Sequence, residues 1–431
     1  MTIQRFRPLS TRGFSADNSI SNAFLEAMRG IMWWPPILIA LAILMCGDSS
    51  VMGDSLKVGA VIPLTGERSQ IGEIEKNALI MAVDDINRAG GIRGRQVSII
   101  IEDDNDQPDL ARSAAEKLIS EDGVIVLIGS GRSEAVLEIE KIAQERRVPC
   151  LETTSSDRQA PELDGNYVFH IAPPLSHYFG PLLSFLKEVV TARTLALVYE
   201  NTDFGVKAAE VLSQDFTAMG GNIVGRESFE LGMSDFRPIL DRVKQAMPDV
   251  IFIASSDNEG AILMLQFQDL DINPKLFVGC ARSFVMPKFM LGAGEASDYV
   301  FTIDFWDGRL PYPGVEKFYS DFIERFIAAP RYFGAMAYAC VQVIADALNR
   351  TSDLTPEGVF NREGVRSSLV GTDMNSVLGP VRFVSSGNLK QQNDVRMLLS
   401  QWQVGILEVV WPREFALEPY IFPVPPWSSR H

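Results

Sequence analysis

The sequence has little of what catalytic and nucleic-acid-binding proteins depend on. It contains three histidines in 431 residues, and no His-Glu-x-x-His motif, Gly-x-Ser-x-Gly turn or phosphate-binding loop occurs. Its 39 Lys and Arg are outnumbered by 55 Asp and Glu, so the net charge is −16. A nucleic-acid-binding protein needs a basic face. We therefore expect no enzyme activity, no metal site, no cofactor and no nucleic-acid partner.

Cysteine is also scarce. Of the four cysteines, Cys150, Cys280 and Cys340 lie in apolar segments of the folded chain, and an odd number cannot pair completely. We predict that these three are buried free thiols. With 46% hydrophobic and 22% charged residues, the composition is typical of a folded protein, and the length is sufficient for two domains with separate cores.

The first 46 residues are typical of a leader segment. Arginines precede an apolar stretch at residues 31–45, which is shorter than the ~20 residues of a membrane span and is typical of an export signal. Cys46 closes this stretch, as in bacterial lipoprotein signals, which the segment resembles. We expect lipidation of Cys46. Ordinary cleavage a few residues later, or an uncleaved anchor, is the alternative, and Met28 is an alternative start.

Short apolar runs alternate with helix-like segments along most of the chain. Residues 57–64 and 96–104 are long enough only for strands, whereas residues 77–88 have apolar side chains at helical spacing and no Gly or Pro. A strand, a helix and a strand in this order predict a parallel crossover and an α/β domain. A new series of strands and helices begins at Thr194, which predicts a second α/β lobe with its own parallel sheet.

The motifs between residues 57 and 119 are more specific than this pattern. They are PLTG at 63–66, a glycine six residues later, DDINRAGGIRGRQV at 84–97 and EDDNDQP at 102–108. They resemble the opening of type I periplasmic solute-binding proteins, in particular the branched-chain amino-acid (Leu/Ile/Val) binding family of ABC transporters. The resemblance extends to about residue 403. It implies an α/β fold of two Rossmann-like lobes, joined by a three-segment hinge, that close on a ligand.

The resemblance also implies a domain division. We expect residues 56–172 and 306–376 to form lobe 1, and residues 173–305 and 377–411 to form lobe 2. The remaining residues, 412–431, are rich in Pro and aromatic side chains, and we expect them to lie extended over a lobe. In many relatives a disulfide joins two loops at positions that here hold Asp106 and Arg132, which suggests an ion pair in its place.

Two loops of lobe 1 carry the expected carboxylate-binding groups. Ser133, in GSGRSEA, stands at the start of a helix, where backbone N–H groups bind anions; a plain helix cap is the alternative. By the resemblance, the Thr154 carbonyl and the Ser156 hydroxyl also face the ligand, with Ser155 in place of Ser156 if the register differs by one residue. A cluster of turn-forming side chains is the alternative for this loop.

Apolar side chains are expected to surround the ligand. By the resemblance, Phe204 stacks on the ligand from lobe 2, and Ile71 and Phe333 form further parts of the wall. Without the resemblance, all three would be assigned to the hydrophobic core.

Lobe 2 departs from the family at the position that binds an amino-acid ammonium. The acidic residue expected after the FxG strand is Ala281 here, and Arg282 follows it. An ammonium buried without a carboxylate is costly. Either Asp257 or Asp203 replaces the acid, or the ligand has no ammonium. Arg282 is positioned to bind a second carboxylate bidentately, or else it is a solvated surface residue.

The resemblance implies a function in solute uptake. We expect an extracytoplasmic binding component of an ABC importer that binds an amino acid or a related small carboxylate or amide. Its partner would be the membrane permease, and we expect a monomer in the periplasm or, lipid-anchored, on the outer face of the cytoplasmic membrane. A ligand-sensing receptor domain of the same fold is the alternative, and an enzyme on an α/β scaffold is the third.

Overall fold

The structure is a computed structural model that describes residues 55–153, 166–256, 258–355, 359–386 and 389–430. Within these residues the chain forms two separate sheets, one in each lobe. The first of these sheets has eight strands and the second has seven. The predicted α/β fold of two lobes is confirmed.

The first lobe begins with alternating strands and helices. In chain order they are β1 (Leu56–Ile62), α1 (Ser69–Arg88), β2 (Val97–Asp103), α2 (Pro108–Ser120), β3 (Val126–Gly129), α3 (Ser133–Arg146), β4 (Cys150–Glu152) and β5 (Val168–His170). All five strands are parallel, and β1 lies between β2 and β3.

The second lobe repeats this arrangement. Its elements are α4 (Gly180–Phe185), β6 (Thr194–Glu200), α5 (Asp203–Ala218), β7 (Asn222–Phe229), α6 (Arg237–Ala246), β8 (Val250–Ala254), α7 (Glu259–Asp269), β9 (Leu276–Cys280), α8 (Pro287–Ala293) and β10 (Phe301–Asp304). Here β6 lies between β7 and β8, and all five strands are again parallel.

The chain then returns to the first lobe before it ends on the second. The returning segment comprises α9 (Val315–Phe326), α10 (Arg331–Arg350), α11 (Arg362–Val370), β11 (Asp373–Ser376), β12 (Gly379–Ser386) and β13 (Leu389–Asn393). The last two strands, β14 (Leu398–Gln403) and β15 (Ile406–Trp411), extend the second sheet as an antiparallel hairpin.

One predicted lobe boundary is wrong. We expected lobe 2 to resume at residue 377, but β12 and β13 belong to the first sheet, where β13 pairs with β5 through Gln392 and His170. The third crossing between the lobes therefore lies between Asn393 and Leu398. The hairpin stays with the first lobe because β5 would otherwise leave an unpaired edge.

Both sheets have a topological switch point at their first strand. In the first sheet the chain passes from β1 to β2 on one side and then crosses to β3 on the other side of β1. In the second sheet it passes in the same way from β6 to β7 and then to β8. The loops after β1 and β3, and those after β6 and β8, therefore run in opposite directions and leave a crevice between them. In open α/β sheets, ligands bind in this crevice, at the carboxyl ends of the strands. The topology alone therefore places a binding site in each lobe at these loops.

Helix α1 begins earlier than predicted. The Gly- and Pro-free segment that predicts this helix begins at residue 77, but the helix starts at Ser69. A Cβ atom at Gly72 would lie 2.0 Å from the carbonyl oxygen of Pro63. The glycine thus lets the first turn of α1 pack directly against the end of β1, which places residues 67–75 at the crevice.

The C-terminal tail lies on the second lobe, whereas the sequence predicted only that it lies over one of the two lobes. The Trp427 indole N–H donates to the Ile272 carbonyl at 2.7 Å, and its ring centroid lies 5.6 Å from that of Phe277. The Arg430 guanidinium stacks over Trp427 at 3.6 Å and also donates to the Asp298 carbonyl. Aromatic and cation–π contacts therefore fix the tail to this lobe.

The predicted free thiols are confirmed. Cys150, Cys280 and Cys340 are unpaired and buried, and burial raises the pKa of each thiol.

Among the residues that the structure describes, no helix has the length and apolar character to cross a membrane.

The acidic turn after β2 contains a buried ion pair. Asp106 accepts two hydrogen bonds from Arg68 Nη1, at 2.8 and 3.0 Å, and its side chain is only 5% exposed. The expected partner, Arg132, contacts the same carboxylate at 3.5 Å and is 33% exposed. The suggested pair is therefore present, but Arg68 is the principal partner of Asp106.

Double-mutant cycles should separate these two contacts. We expect a coupling free energy of about 2 kcal/mol between Asp106 and Arg68, because the pair is buried and doubly hydrogen-bonded, and below about 1 kcal/mol between Asp106 and Arg132. Urea unfolding of the Asp106→Ala, Arg68→Ala and Arg132→Ala single and double variants measures both. Equal couplings would contradict this assignment.

Candidate ligand-binding cleft

A cavity of about 190 Å³ lies between the two lobes, at both switch points. Its wall includes the ends of the loops after β1, β3, β6 and β8, as the topology requires. The residues that contribute from these loops are Glu67, Arg68, Ser130, Gly131, Arg132, Glu200, Thr202 and Ser256. A ligand in this cavity would therefore contact both lobes at once.

Ser133 lies in the cavity wall and does not cap its helix. Arg132 is the N-cap residue of α3, with an extended backbone and no side-chain capping bond, and its carbonyl accepts from Ala135 and Val136 N–H. The capping interpretation of Ser133 is therefore wrong. Ser133, at the positive end of a 14-residue helix, lines the cavity. This arrangement suits a carboxylate.

The three predicted apolar residues come together in the cavity. Ile71 is at the start of α1, Phe333 is on α10, and Phe204 is in the first turn of α5 on the opposite lobe. Further aromatic side chains that sequence reasoning missed complete the wall: Tyr178, Phe305 and Tyr332. The Tyr332 ring lies 4.0 Å from Phe333 and 4.4 Å from Phe305, centroid to centroid. The middle of the cleft is thus apolar and aromatic.

Arg282 is also in the wall, with only 12% of its side chain exposed. The surface interpretation is therefore wrong. Its Nη2 atom lies 3.7 Å from Glu67 Oε1, a contact that joins the two lobes. Arg68 is close enough to feel this charge: burial, together with the positive charges of Arg282 and Arg132, lowers the pKa of Arg68 to about 10, although Asp106 opposes the shift.

The second lobe contributes one acid that the sequence reasoning missed. Glu200, at the end of β6, is 1% exposed and lines the cavity. Its carboxylate accepts from the Ser256 N–H and hydroxyl, both at 2.6 Å, and from the Thr202 hydroxyl at 2.8 Å. A polar residue at the carboxyl end of a switch-point strand was the signal that could have identified it.

Not all predicted site residues can be placed. Ala281 lines the cavity, with a backbone φ of +88°, whereas Asp203 is not part of its described wall. The remaining predicted residues lie outside the described part of the chain: Thr154, Ser155, Ser156, Asp257 and the lipidation candidate Cys46. Thr153 and Ser256, which immediately precede two of these positions, do line the cavity.

A buried glutamate lies at the base of the cleft. Glu75 is 1% exposed, and its Oε1 accepts from the hydroxyls of Ser130 (2.6 Å) and Thr153 (3.2 Å). Oε2 has no hydrogen-bond partner among the described residues. Burial raises the pKa of Glu75 to about 7, with a further contribution from Asp104, although the two hydroxyl bonds lower it. The sequence indicates this residue only indirectly: Glu75 follows Ile71 by four positions and so lies on the same buried face of α1.

A second cluster of ionisable residues lies away from the cleft. Glu140, Glu152 and His170 are buried in the first lobe, with ligand atoms within 4.8 Å of one another, the one such group with metal-binding geometry in the described chain. The His170 Nδ1 atom contacts a Glu152 carboxylate oxygen. Burial raises the pKa of Glu152 to about 8 and lowers that of His170. A carboxyl group with this raised pKa is mostly protonated at pH 7, which reduces the negative charge buried in this cluster.

Replacing Glu75 should change how stability depends on pH. Its pKa is about 7 in the folded protein and about 4.3 in an unfolded chain, so the folded state loses stability as pH rises from about 4.3 to 7. Glu75→Gln removes this loss. We expect its unfolding free energy, relative to wild type, to increase by about 2 to 3 kcal/mol between pH 5 and pH 8.

Urea unfolding at the two pH values measures this difference, and any constant effect of the amide cancels. Glu73→Gln is the matched control, since Glu73 is on the same helix but 54% exposed and paired with Lys76. We expect no comparable change for this control. A Glu75→Gln difference that does not vary with pH would contradict the raised pKa.

Comparison with known proteins identifies the family of the chain. A family model described as periplasmic binding protein matches residues 55–405. The Leu/Ile/Val-binding protein homolog 7 of Brucella abortus is 22% identical over 397 residues, which cover 88% of this chain and 97% of that protein.

Solved structures share the fold. The branched-chain amino acid transporter substrate binding protein of Streptococcus pneumoniae, in complex with isoleucine, has a TM-score of 0.70 and 22% identity, and the match covers 83% of this chain and all of that one. A solute binding protein of R. palustris, in complex with benzoate, has a TM-score of 0.70 and 19% identity, with coverage of 85% and 97%. Both are binding proteins of transporters, and the R. palustris protein is the solute binding protein of an ABC transporter. The chain therefore belongs to the type I periplasmic binding proteins, with the Leu/Ile/Val-binding proteins among its relatives.

Proposed function

We propose that the protein is the extracytoplasmic binding component of an ABC importer and that it binds a small carboxylate, such as an amino acid, between its lobes. The observation that carries this proposal is the Ser133 hydroxyl at the start of α3. Ser133 lines the cavity and is not the N-cap residue of the helix, and Phe204 of the opposite lobe lies in the same wall. The relatives that bind isoleucine and benzoate share a carboxylate in their ligands, which supports the same class here.

Closure of the lobes follows from this placement. A carboxylate at Ser133 leaves the body of the ligand against the aromatic side chains of both lobes, so the ligand binds the closed form more tightly than the open form. A shift from mostly open to mostly closed requires about 5.5 kcal/mol of differential affinity. The permease would recognise the closed form. An ammonium, if the ligand carries one, would meet Glu200 or Asp257 of the second lobe.

The remaining parts of the proposal follow from the leader and the family. Export through residues 1–46 would place the chain in the periplasm, and lipidation of Cys46 would hold it at the outer face of the cytoplasmic membrane. We propose that it acts as a monomer, without catalytic turnover of its ligand.

A thermal-shift screen tests the proposed ligand class. The panel comprises amino acids, aromatic acids, dicarboxylates, amides and urea, and a ligand present at 100 times its dissociation constant should stabilise the fold by about 2.7 kcal/mol. Ser133→Ala should weaken the binding of every carboxylate that scores, by about 10- to 100-fold, because it removes a hydrogen bond to a charged group.

Ser120→Ala is the matched control. Ser120 is exposed at the end of α2 and donates only to the Glu116 carbonyl, at 2.6 Å, so its loss should leave binding unchanged. A panel without any stabilising carboxylate, or equal binding by the Ser133→Ala variant and wild type, would overturn the proposal.

A further inference from the structure

The acid at the base of the cleft has one oxygen atom without a partner. Glu75 is 1% exposed and lines the cavity between the lobes. Its Oε1 atom accepts hydrogen bonds from the Ser130 and Thr153 hydroxyls, whereas Oε2 is buried and has no hydrogen-bond partner among the described residues. A buried polar atom without a partner is costly, and a ligand in the cavity would remove this cost.

The two hydroxyl bonds determine which oxygen of Glu75 carries a proton in the neutral form. Because Oε1 accepts from two O–H donors, the O–H group of the neutral carboxyl lies at Oε2. Burial raises the pKa of Glu75 to about 7, so the neutral form is well populated at neutral pH. In that form Oε2 is a donor, and it needs an acceptor.

The proposed carboxylate site lies on the same side of the cleft as Glu75. Ser130, which donates to Glu75, is in the loop that leads to Ser133, and both serines line the cavity. A segment of three residues spans at most about 11 Å. A ligand carboxylate at Ser133 would therefore be repelled by an ionised Glu75, whereas it would accept a strong hydrogen bond from the neutral form.

A ligand cation is the other group that could complete Glu75. The second buried acid of the described wall is Glu200, on the opposite lobe, and both of its oxygens accept hydrogen bonds from Ser256 or Thr202. These neutral donors keep Glu200 available as the charged partner of an ammonium. Glu75 is thus left for the carboxylate end of the ligand, which lies on its own lobe.

We propose that Glu75 is a ligand-binding residue whose neutral carboxyl group donates a hydrogen bond from Oε2 to the ligand carboxylate. This inference rests on the proposed function, because the same carboxylate binds at Ser133. Where Glu75 is ionised in the empty protein, it takes up one proton from the solvent as the ligand binds. Ligand binding is therefore stronger at pH 6 than at pH 8.

Asp104 is the neighbouring acid that a test must control for. It lies in the turn after β2, and its charge contributes to the raised pKa of Glu75. Burial raises the pKa of Asp104 itself to about 6. On α10, burial and the charge of Glu75 raise the pKa of Cys340 well above its ordinary value, so this thiol stays neutral between pH 6 and pH 8.

Other charged groups also border this region. Farther along α1, Asp84 pairs with Arg325 of α9 and Asp85 accepts from Tyr338 of α10, but both acids lie at least nine residues, or about 14 Å, from Glu75. The remaining charged residues of the described cavity wall are Glu67, Arg68, Arg132, Glu134, Glu200 and Arg282. A variant of Glu75 itself separates its contribution from theirs.

Titration calorimetry at pH 6 and pH 8 tests the proposal. The probes are benzoate, hexanoate, leucine and the carboxylate that stabilises the protein most in the thermal-shift screen. With a pKa of about 7, Glu75 is mostly neutral at pH 6 and mostly ionised at pH 8, so we expect binding to weaken about tenfold between them. Heats in buffers of different ionisation enthalpy should show an uptake of nearly one proton per ligand at pH 8.

Two variants identify the group responsible. Glu75→Gln keeps an acceptor for the two hydroxyls and places an N–H donor where Oε2–H would be. We expect its binding to be independent of pH, without proton uptake, and about tenfold tighter than that of wild type at pH 8. Asp104→Asn removes a charge that raises the pKa of Glu75, so the loss of affinity should begin at a lower pH.

Glu73→Gln is the matched control, since Glu73 is on the same helix but 54% exposed and paired with Lys76, and it should keep the wild-type pH dependence. Affinity that is equal at the two pH values, affinity that rises with pH, or a pH dependence that survives Glu75→Gln would overturn the role of Glu75 while the Ser133 site stands. If no carboxylate binds at either pH, the proposed function fails together with this inference.

Discussion

The acidic turn that follows β2 holds the cleft side of the first lobe together. Asp103 Oδ1 accepts from the N–H groups of Leu64 (2.9 Å) and Thr65 (3.1 Å), which fixes the loop after β1. Burial alone would raise the pKa of Asp103, but these bonds and that of the Thr65 hydroxyl lower it, so the carboxylate stays charged. Two residues further on, Asp106 binds Arg68 and contacts Arg132, which joins the same turn to α1 and to the loop before α3. These carboxylates therefore connect both cleft loops to the turn after β2.

The cleft itself is a balance of buried charges. Asp106 compensates the charge of Arg68, and hydrogen bonds from Ser256 and Thr202 stabilise the Glu200 carboxylate. The cost of burying each of these two charges is therefore compensated within its own lobe. Glu75 is different, because its carboxyl group has hydroxyl partners but no cation beside it, and burial raises its pKa to about 7. Burying such a group is unfavourable at neutral pH, and perturbed groups of this kind concentrate at functional sites. The contact between Glu67 and Arg282 is the one described ion pair that joins the lobes across the ligand cleft, and it is long and partly exposed.

The fold was largely predictable, and the reasons for the exceptions are physical. Alternating apolar runs identified nearly every strand, and Thr194, the predicted start of the second series, is the first residue of β6. The start of α1 was missed because the predicted segment contained no glycine, whereas Gly72 lies within the helix. Without a Cβ atom, Gly72 allows the carbonyl of Pro63 to pack directly against the helix. The hairpin β12–β13 was assigned to the wrong lobe, since pairing with β5 is a long-range contact that no local pattern encodes.

The site was predictable where the family motif covers it and not elsewhere. Ser133, Phe204, Ile71 and Phe333 were identified through the resemblance, because their residue types alone are typical of a core or a cap. Glu75 and Glu200 were missed, since a buried acid is unusual in any helix or strand and was not weighed as a site residue. Whether Arg282 faces solvent or the cleft depends on how the two lobes approach each other, which local sequence does not specify.

The central claim, that a ligand binds between the lobes and closes them, is tested most directly by a distance across the cleft. Spin labels at Met247→Cys and Ile327→Cys, which are 83% and 92% exposed on opposite lobes, allow the distance to be measured by double electron–electron resonance. The native cysteines of the described chain are buried, so the label should react with the two introduced cysteines. A Cys46→Ser background removes the remaining thiol. With the carboxylate that stabilises the protein most, we expect a shifted and narrower distance distribution. An identical distribution with and without saturating ligand would contradict it.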